Sequence, residues 1–245
     1  MPSFYTPHLI PGMKKICIEG DEYHHIVNVF RKKENDEILL SNGKGLMSRA
    51  KIEAVSKKSL TAVTISSDYR EKSKPCIAVG FSLLRNKNDH IVIEKLSELG
   101  VSEFFPFIGQ RSVRAVSNNT VDKFIKISVA ACKQCDNPYL PVINRVVKLE
   151  RLIETLQNDD YQVLAAQERE VDRLISDLFV PPFPDKVALL FGPEGGFSEE
   201  EISFLESRTI KGVTLGNHIL RAETAAISGV SQLILTILKY RPDFF

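Results

Sequence analysis

The chain has 245 residues, 43% hydrophobic and 26% charged, with a formal net charge of +1 at pH 7. Those values suit a globular protein of one large or two smaller domains and exclude a polycation as a whole. Four unevenly spaced cysteines, Cys17, Cys76, Cys132 and Cys135, exclude a disulfide framework.

No N-terminal apolar segment and no apolar run of about 18 residues occurs, so the expectation is a cytoplasmic protein without a membrane span. The charge is unevenly spread. Residues 1–75 carry 13 basic against 9 acidic residues, the remainder 19 against 22. A mildly basic front portion can favour nucleic acid, but such an imbalance is more often a plain solvated surface.

Residues 1–70 read as β-rich. "KKICIEG" (14–20), "DEILLSNGKGLMSRAKIEAV" (36–55) and "SLTAVTISSD" (59–68) carry β-branched or alternating residues. "SNGKG" (41–45) is a hairpin turn, because Asn-Gly supplies the positive φ that a tight turn needs. "DEYHHIVNVFRKK" (21–33) reads as a short helix, and several short strands in some 70 residues suggest a small barrel. "YREKSKP" (69–75) reads as a linker.

The texture then changes. Strands are predicted at 76–84, 101–108, 161–168, 186–192 and 212–216, and helices at 88–100, 120–135, 148–158 and from about Ala222 to Tyr240. Asn88 or Asp89 is the expected cap of the first of these helices. Strands alternating with helices imply an α/β domain with a mostly parallel sheet, covered on both faces.

Two stretches carry the chemistry. "LLFGPEGGFSEEEI" (189–202) is a glycine-rich turn at the C-terminal end of a strand, where α/β proteins place ligands. It lacks the lysine of a P-loop and the spacing of a dinucleotide fingerprint. Ser198 and Glu201 form a capping box, and Glu199 and Glu200 fill the first helical turn. A phosphate would meet three carboxylates there; a neutral or cationic ligand suits the turn better. "LGNHILRAETAA" (215–226) repeats the arrangement, with His218, Arg221, Glu223 and Thr224 ahead of a long apolar helix. Taken singly, Thr224 or Glu223 also reads as a helix cap and Arg221 as a partner of a carboxylate.

The pair "GPEGGFSEEEI" and "LGNHILRAETA", with "MPSFYTP" (1–7), "VFRKKENDEILLSNGKG" (29–45), "KLSELGVSEFFPFIGQRS" (95–112) and "AACKQC…P" (130–138), resembles the SPOUT methyltransferases, and more narrowly the RsmE family. The resemblance covers nearly the whole chain. It implies a PUA-like β-barrel RNA-binding domain over 1–70 and an α/β methyltransferase domain over 71–245 with a C-terminal trefoil knot. Knots are exceptions to ordinary connectivity, so the knot follows from the resemblance alone.

It also implies S-adenosylmethionine as cofactor, 16S rRNA, naked or within the 30S subunit, as substrate, a homodimer, and methylation of N3 of a uridine. Leu190, Gly192, Gly195, Leu215, Gly216, Ile219, Leu220 and Thr224 are the cofactor candidates. Arg221 and Arg111 are candidates to stabilise the uracil anion, with Glu223 or Glu194 as proton acceptor. Lys14, Lys15, Arg31, Lys32, Lys33 and Lys44 are candidate phosphate contacts. His218 stands where the family carries Arg, as do Ser3 and Asn137; His218 is a candidate RNA or cofactor contact with a weaker, pH-dependent charge. Two alternatives stay open: a ribose 2′-O-methyltransferase of the same superfamily, and a non-catalytic RNA-binding assembly factor. "CKQC" (132–135) lacks a second Cys or Cys/His pair at metal spacing and falls late in a predicted helix, so no metal is expected.

Overall fold

A computed structural model describes residues 3–167 and 172–244. The opening Met1 and Pro2 of "MPSFYTP", and Glu168 at the end of one predicted strand, lie outside the described residues. The chain divides into two compact units, Met1–Lys72 with Val129–Leu140, and Ser73–Ser128 with Pro141–Phe245.

The first unit contains β1 (Ser3–Tyr5), β2 (Lys15–Glu19), α1 (Gly20–His24), β3 (Glu37–Ser41), β4 (Leu46–Val55) and β5 (Ser59–Tyr69). The strands form one mixed sheet in the order β1-β3-β4-β5-β2, with β1 parallel to β3. Period-two burial in β2 puts Ile16 and Ile18 inward and Lys15, Cys17 and Glu19 outward. They pack with Phe4, Ile38, Leu40, Ile52 and Leu60 in one core. Two register irregularities between β4 and β5, at Arg49/Ala50 and Ile52/Ala54, bend the long strands around it. The helix expected over 21–33 is shorter. After α1, residues His25–Val29 form a π-helical turn, and Arg31 takes a left-handed φ of 54°.

The second unit runs β6 (Cys76–Ser82), α2 (Asn88–Glu98), β7 (Glu103–Ile108), α3 (Thr120–Cys135, whose last turns belong to the first unit), β8 (Val142–Ile143), β9 (Val147–Lys148), α4 (Leu149–Asn158), β10 (Gln162–Ala166), α5 (Ile175–Leu178), β11 (Lys186–Phe191), α6 (Glu199–Ser207), β12 (Lys211–Val213) and α7 (Ala222–Tyr240). Its sheet has the order β12-β10-β11-β6-β7-β8, with β9 also on β7. Every pairing among these strands is parallel.

Alternate residues of the central strands enter two separate cores. Ile77, Val79 and Phe81 of β6 join Val187, Leu189 and Phe191 of β11 beneath α2 and α7. Ala78, Ala188 and Leu190 face α4 and α6 on the other side. Burial on both faces is the reason these strands read as unbroken apolar runs.

Some local expectations fail. Neither Asn88 nor Asp89 caps α2: Lys87, in a left-handed conformation, holds the cap position with no side-chain cap bond. Asp89 is fully buried and paired with Arg114. A carboxylate at a helix start reads alike in both roles until its partner is known. The last predicted strand ends at Val213 rather than running on towards Gly216. Beyond it, the Thr214 hydroxyl bonds locally to the main chain of Gly216 (3.2 and 3.3 Å) and turns the chain out of the sheet.

Candidate active site

In a parallel sheet all strands end at one edge, and β6, β7, β10, β11 and β12 deliver their loops there. The in-register pairs Phe81–Phe191, Ser82–Phe107 and Ala166–Val213 bring these ends level.

The glycine turn leaves β11 at Gly192. Its closure is a hydrogen bond from Gly196 N–H to the Pro193 carbonyl at 2.8 Å. A Cβ at Gly192 would stand 3.0 Å from Gly196 C and Phe197 N, so the turn requires glycine there because main chain meets main chain. The capping box forms as the sequence indicates. Ser198 Oγ accepts from Glu201 N–H at 3.1 Å, and Glu201 Oε2 accepts from Ser198 N–H at 2.8 Å. At the second motif Gly216 holds a φ of 141°, open only to glycine. Arg221 is the N-cap residue of α7, and its carbonyl accepts from Ala225 N–H at 2.8 Å. No side-chain cap bond forms there, so neither Thr224 nor Glu223 serves as the cap.

Two neighbouring cavities open at this edge. The first, about 490 Å³, is lined by Gly192, Gly195, Leu215, Gly216 and Leu220 of the predicted cofactor set, together with Arg111 and His218. Gln167, Thr214, Phe197 and Ile202 also line it; sequence reasoning missed them, although Gln167 follows directly on β10 and the strand-end rule could have found it. The second, about 710 Å³, gathers Arg111, Glu194, Arg221 and Glu223, and adds Arg85, Asn86, Asn88 and Val113. Arg111, Gly195, Leu220 and Ala222 belong to both walls.

The remaining candidates fall elsewhere. Ile219 lines only the second cavity, and is exposed. Leu190 is fully buried with α4 and α6, and the exposed Thr224 lines neither cavity. In the first unit Lys14, Lys15, Arg31, Lys33 and Lys44 are exposed and Lys32 is half-buried. Lys15 is held by Glu53 at 2.5 Å. Ser3 and Asn137 bond within that unit: the Ser3 hydroxyl donates to the Lys133 carbonyl at 3.4 Å, and Asn137 Oδ1 accepts from Tyr139 N–H at 3.0 Å. Cys132 of "CKQC" is buried, and burial, with a smaller contribution from Cys135, pushes its thiol up to about 12.

A double-sided parallel sheet with a glycine-walled cavity beside an arginine- and glutamate-lined one defines an α/β enzyme class. Residues 71–234 match the family model described as an RNA methyltransferase domain, and residues 18–65 match an RNA methyltransferase PUA domain. A Bacillus subtilis protein named ribosomal RNA small subunit methyltransferase E is 31% identical over 239 residues, 93% of each chain. The chain belongs to the ribosomal RNA small subunit methyltransferase E family. A Legionella pneumophila methyltransferase solved with the bound cofactor SAM superimposes with a TM-score of 0.85 at 26% identity, over 97% of each chain. A Neisseria gonorrhoeae ribosomal RNA small subunit methyltransferase E, bound to S-adenosyl methionine, shares the fold with a TM-score of 0.87 at 22% identity, over 98% of each chain.

Proposed function

We propose that the second unit transfers a methyl group from S-adenosylmethionine to N3 of a uridine in 16S rRNA of the small ribosomal subunit, uridine 1498 in the conventional numbering. The observation that carries this reading is the pair of cavities sharing the Arg111, Gly195, Leu220 and Ala222 wall. A cofactor in one and a base in the other would meet across that wall, and alignment of two reactants can supply roughly 7–11 kcal/mol of a barrier.

The residues present fit the cofactor. The first cavity has the volume of a small-molecule site, and its walls are glycine main chain that a ligand can approach closely. Glu199 at its rim favours positive charge. When bound, S-adenosylmethionine supplies an electrophilic methyl group on a sulfonium. Main-chain groups of Gly192, Gly195, Leu215, Gly216 and Leu220 would hold the adenine and ribose edges.

N3 of uracil is protonated at neutral pH, and its pairing edge must be free. The base is therefore splayed out of any helix and enters the second cavity. Glu223 would accept the N3 proton, and the freed N3 pair would displace sulfur from the methyl carbon, the S–C bond breaking with its electron pair left on the neutral thioether S-adenosylhomocysteine. Arg221 and Arg111 stabilise the negative charge that spreads to O2 and O4. The basic residues of the first unit grip phosphates, and two copies of the chain pair in the cytoplasm.

An N3 methyl group blocks the pairing edge, so reverse transcription tests the assignment on whole 16S rRNA. A stop at one uridine that depends on this protein is expected. Full read-through in its presence would reject N3 as the target.

A further inference from the structure

The carboxylates of "GPEGGFSEEEI" do more than start a helix. Glu194 is exposed at the turn, and its Oε1 accepts the backbone N–H of Arg85 at 2.7 Å. Glu201 is buried, and only one of its oxygens serves the capping box; Oε1 accepts the backbone N–H of Gln110 at 2.8 Å. Arg111 Nη1 donates back to the Gly195 carbonyl at 2.8 Å. Arg85 lies on the loop after β6, and Gln110 and Arg111 lie on the loop after β7. The loop after β6 is thereby tied to the glycine turn and the loop after β7 to the first turn of α6, each through a backbone amide, and the Arg111 side chain adds a bond to the glycine turn.

The loops need such ties. Asn86 and Lys87 are consecutive non-glycine residues at φ 54° and 62°, a conformation that persists only when its surroundings hold it. The loop after β7 has further internal bonds, with Ser112 Oγ accepting from Gly109 N–H at 2.7 Å and bonding to Ser82 Oγ at 2.6 Å. Glu201 is its link to α6, together with Ser198 Oγ donating to Gln110 Oε1 at 2.7 Å.

We infer that Glu194 and Glu201 are positioning residues, which lock the two arginine-bearing loops to the glycine turn and to the helix it opens, and so aim Arg85 and Arg111 into the substrate cavity. This rests on the methyl-transfer reading above, and it removes Glu194 from the role of proton acceptor. A carboxylate that already accepts an amide N–H at 2.7 Å is placed to hold a loop.

Glutamine separates the two roles at position 194. Its amide oxygen still accepts the Arg85 N–H, but it cannot take a proton from substrate. Glu194→Ala should lose roughly 10²-fold in kcat, the scale of a misplaced reactant. Its affinity for S-adenosylmethionine should stay within about threefold, because the bond lost is not to the cofactor. Glu194→Gln should recover to within about threefold of wild type, a neutral acceptor being weaker than a charged one.

Amide hydrogen exchange of the cofactor-free protein supplies a readout without catalysis. The Arg85 amide should exchange faster in Glu194→Ala and stay slow in Glu194→Gln. Glu201→Gln has one acceptor oxygen for two amides. A glutamine completes a capping box, so the Gln110 amide should be the one released, with kcat falling and the melting temperature lower by roughly 2–12 °C because two donors then face each other. Glu200→Gln, a first-turn residue on neither loop, serves as the control for lost charge.

A Glu194→Gln variant as inactive as Glu194→Ala, with Arg85 still protected, would make Glu194 a proton acceptor and overturn the inference. So would full activity of Glu194→Ala, or a Gln110 amide unchanged in Glu201→Gln. If wild type methylates no RNA, the methyl-transfer reading fails, while the exchange pattern still decides whether these glutamates hold the loops.

Discussion

Replacing Gly192 by alanine puts one methyl group where the glycine turn has no room. The new Cβ would lie 3.0 Å from the Gly196 carbonyl carbon and the Phe197 nitrogen, and 3.4 Å from Gly196 Cα. Comfortable carbon contacts lie at about 3.5–4.0 Å, so the turn must open by several tenths of an ångström. The atoms in the way are main chain and cannot rotate aside. They are pinned by the Gly196–Pro193 hydrogen bond on one side and by the capping box at Ser198 on the other. Overpacking of this kind costs about 1–3 kcal/mol. If the cost falls on the cofactor-holding shape, S-adenosylmethionine affinity should weaken about 5- to 150-fold at 1.4 kcal/mol per decade. The entropy lost by the unfolded chain on Gly→Ala returns at most about 1 kcal/mol to folding and nothing to binding. Calorimetric titration with the cofactor, alongside thermal unfolding, reads both quantities. An affinity within about twofold of wild type would refute the reasoning that glycine is required by close approach.

Asp89→Ala leaves Arg114 partly buried without its carboxylate, and breaking such a pair costs about 3–5 kcal/mol. At about 2–4 °C per kcal/mol the melting temperature should fall by roughly 6–20 °C, and a fall under about 1 °C would contradict the buried pairing. Burial first, then Lys133 and His24, lower the pKa of His25 from 6.5 against the opposing pull of Glu22. Burial first, then Lys87 and Lys123, lower that of His90, whose ring also lies 3.9 Å from Asp89. The folded state therefore binds fewer protons than the unfolded chain just below pH 6.5, so stability is full above that pH and declines as pH falls through the window towards the folded values. Urea unfolding between pH 7.5 and pH 5.5, taken as roughly bracketing this window, should show the decline. A His25→Asn, His90→Gln double variant that kept the whole decline would reject the assignment. Neutralising Arg31, Lys32 and Lys33 should lower the salt slope of RNA binding by about 0.7 per lost phosphate contact. Lys15→Gln should change it less, since Glu53 already neutralises that ammonium.

The doubly covered strands were legible because burial on both faces demands unbroken apolar runs, and α7 was legible because 19 residues repeat one apolar stripe between an N-terminal polar stretch and Arg241. The capping box was legible because its two partners are three residues apart. What stayed hidden involves partners distant in the chain. Asp89 reads as a cap because nothing local announces Arg114. Arg85 does not stand out because "RNKND" has no pattern of its own, and only Glu194, 109 residues later, shows where its loop is held. The grouping of Val129–Leu140 with the first unit is likewise unmarked, since α3 reads as one continuous amphipathic helix. The glutamates of the turn satisfy a local explanation so well that the second oxygen of Glu201, serving Gln110, could be seen only in three dimensions.

The most direct test of the account is transfer of labelled methyl from S-adenosylmethionine to small ribosomal subunits, or their rRNA, lacking the modification, followed by digestion to nucleosides. Label is expected in 3-methyluridine, and its loss in Arg221→Ala. Label in a ribose 2′-O-methyl nucleoside, or no label with RNA and cofactor both bound, would contradict it.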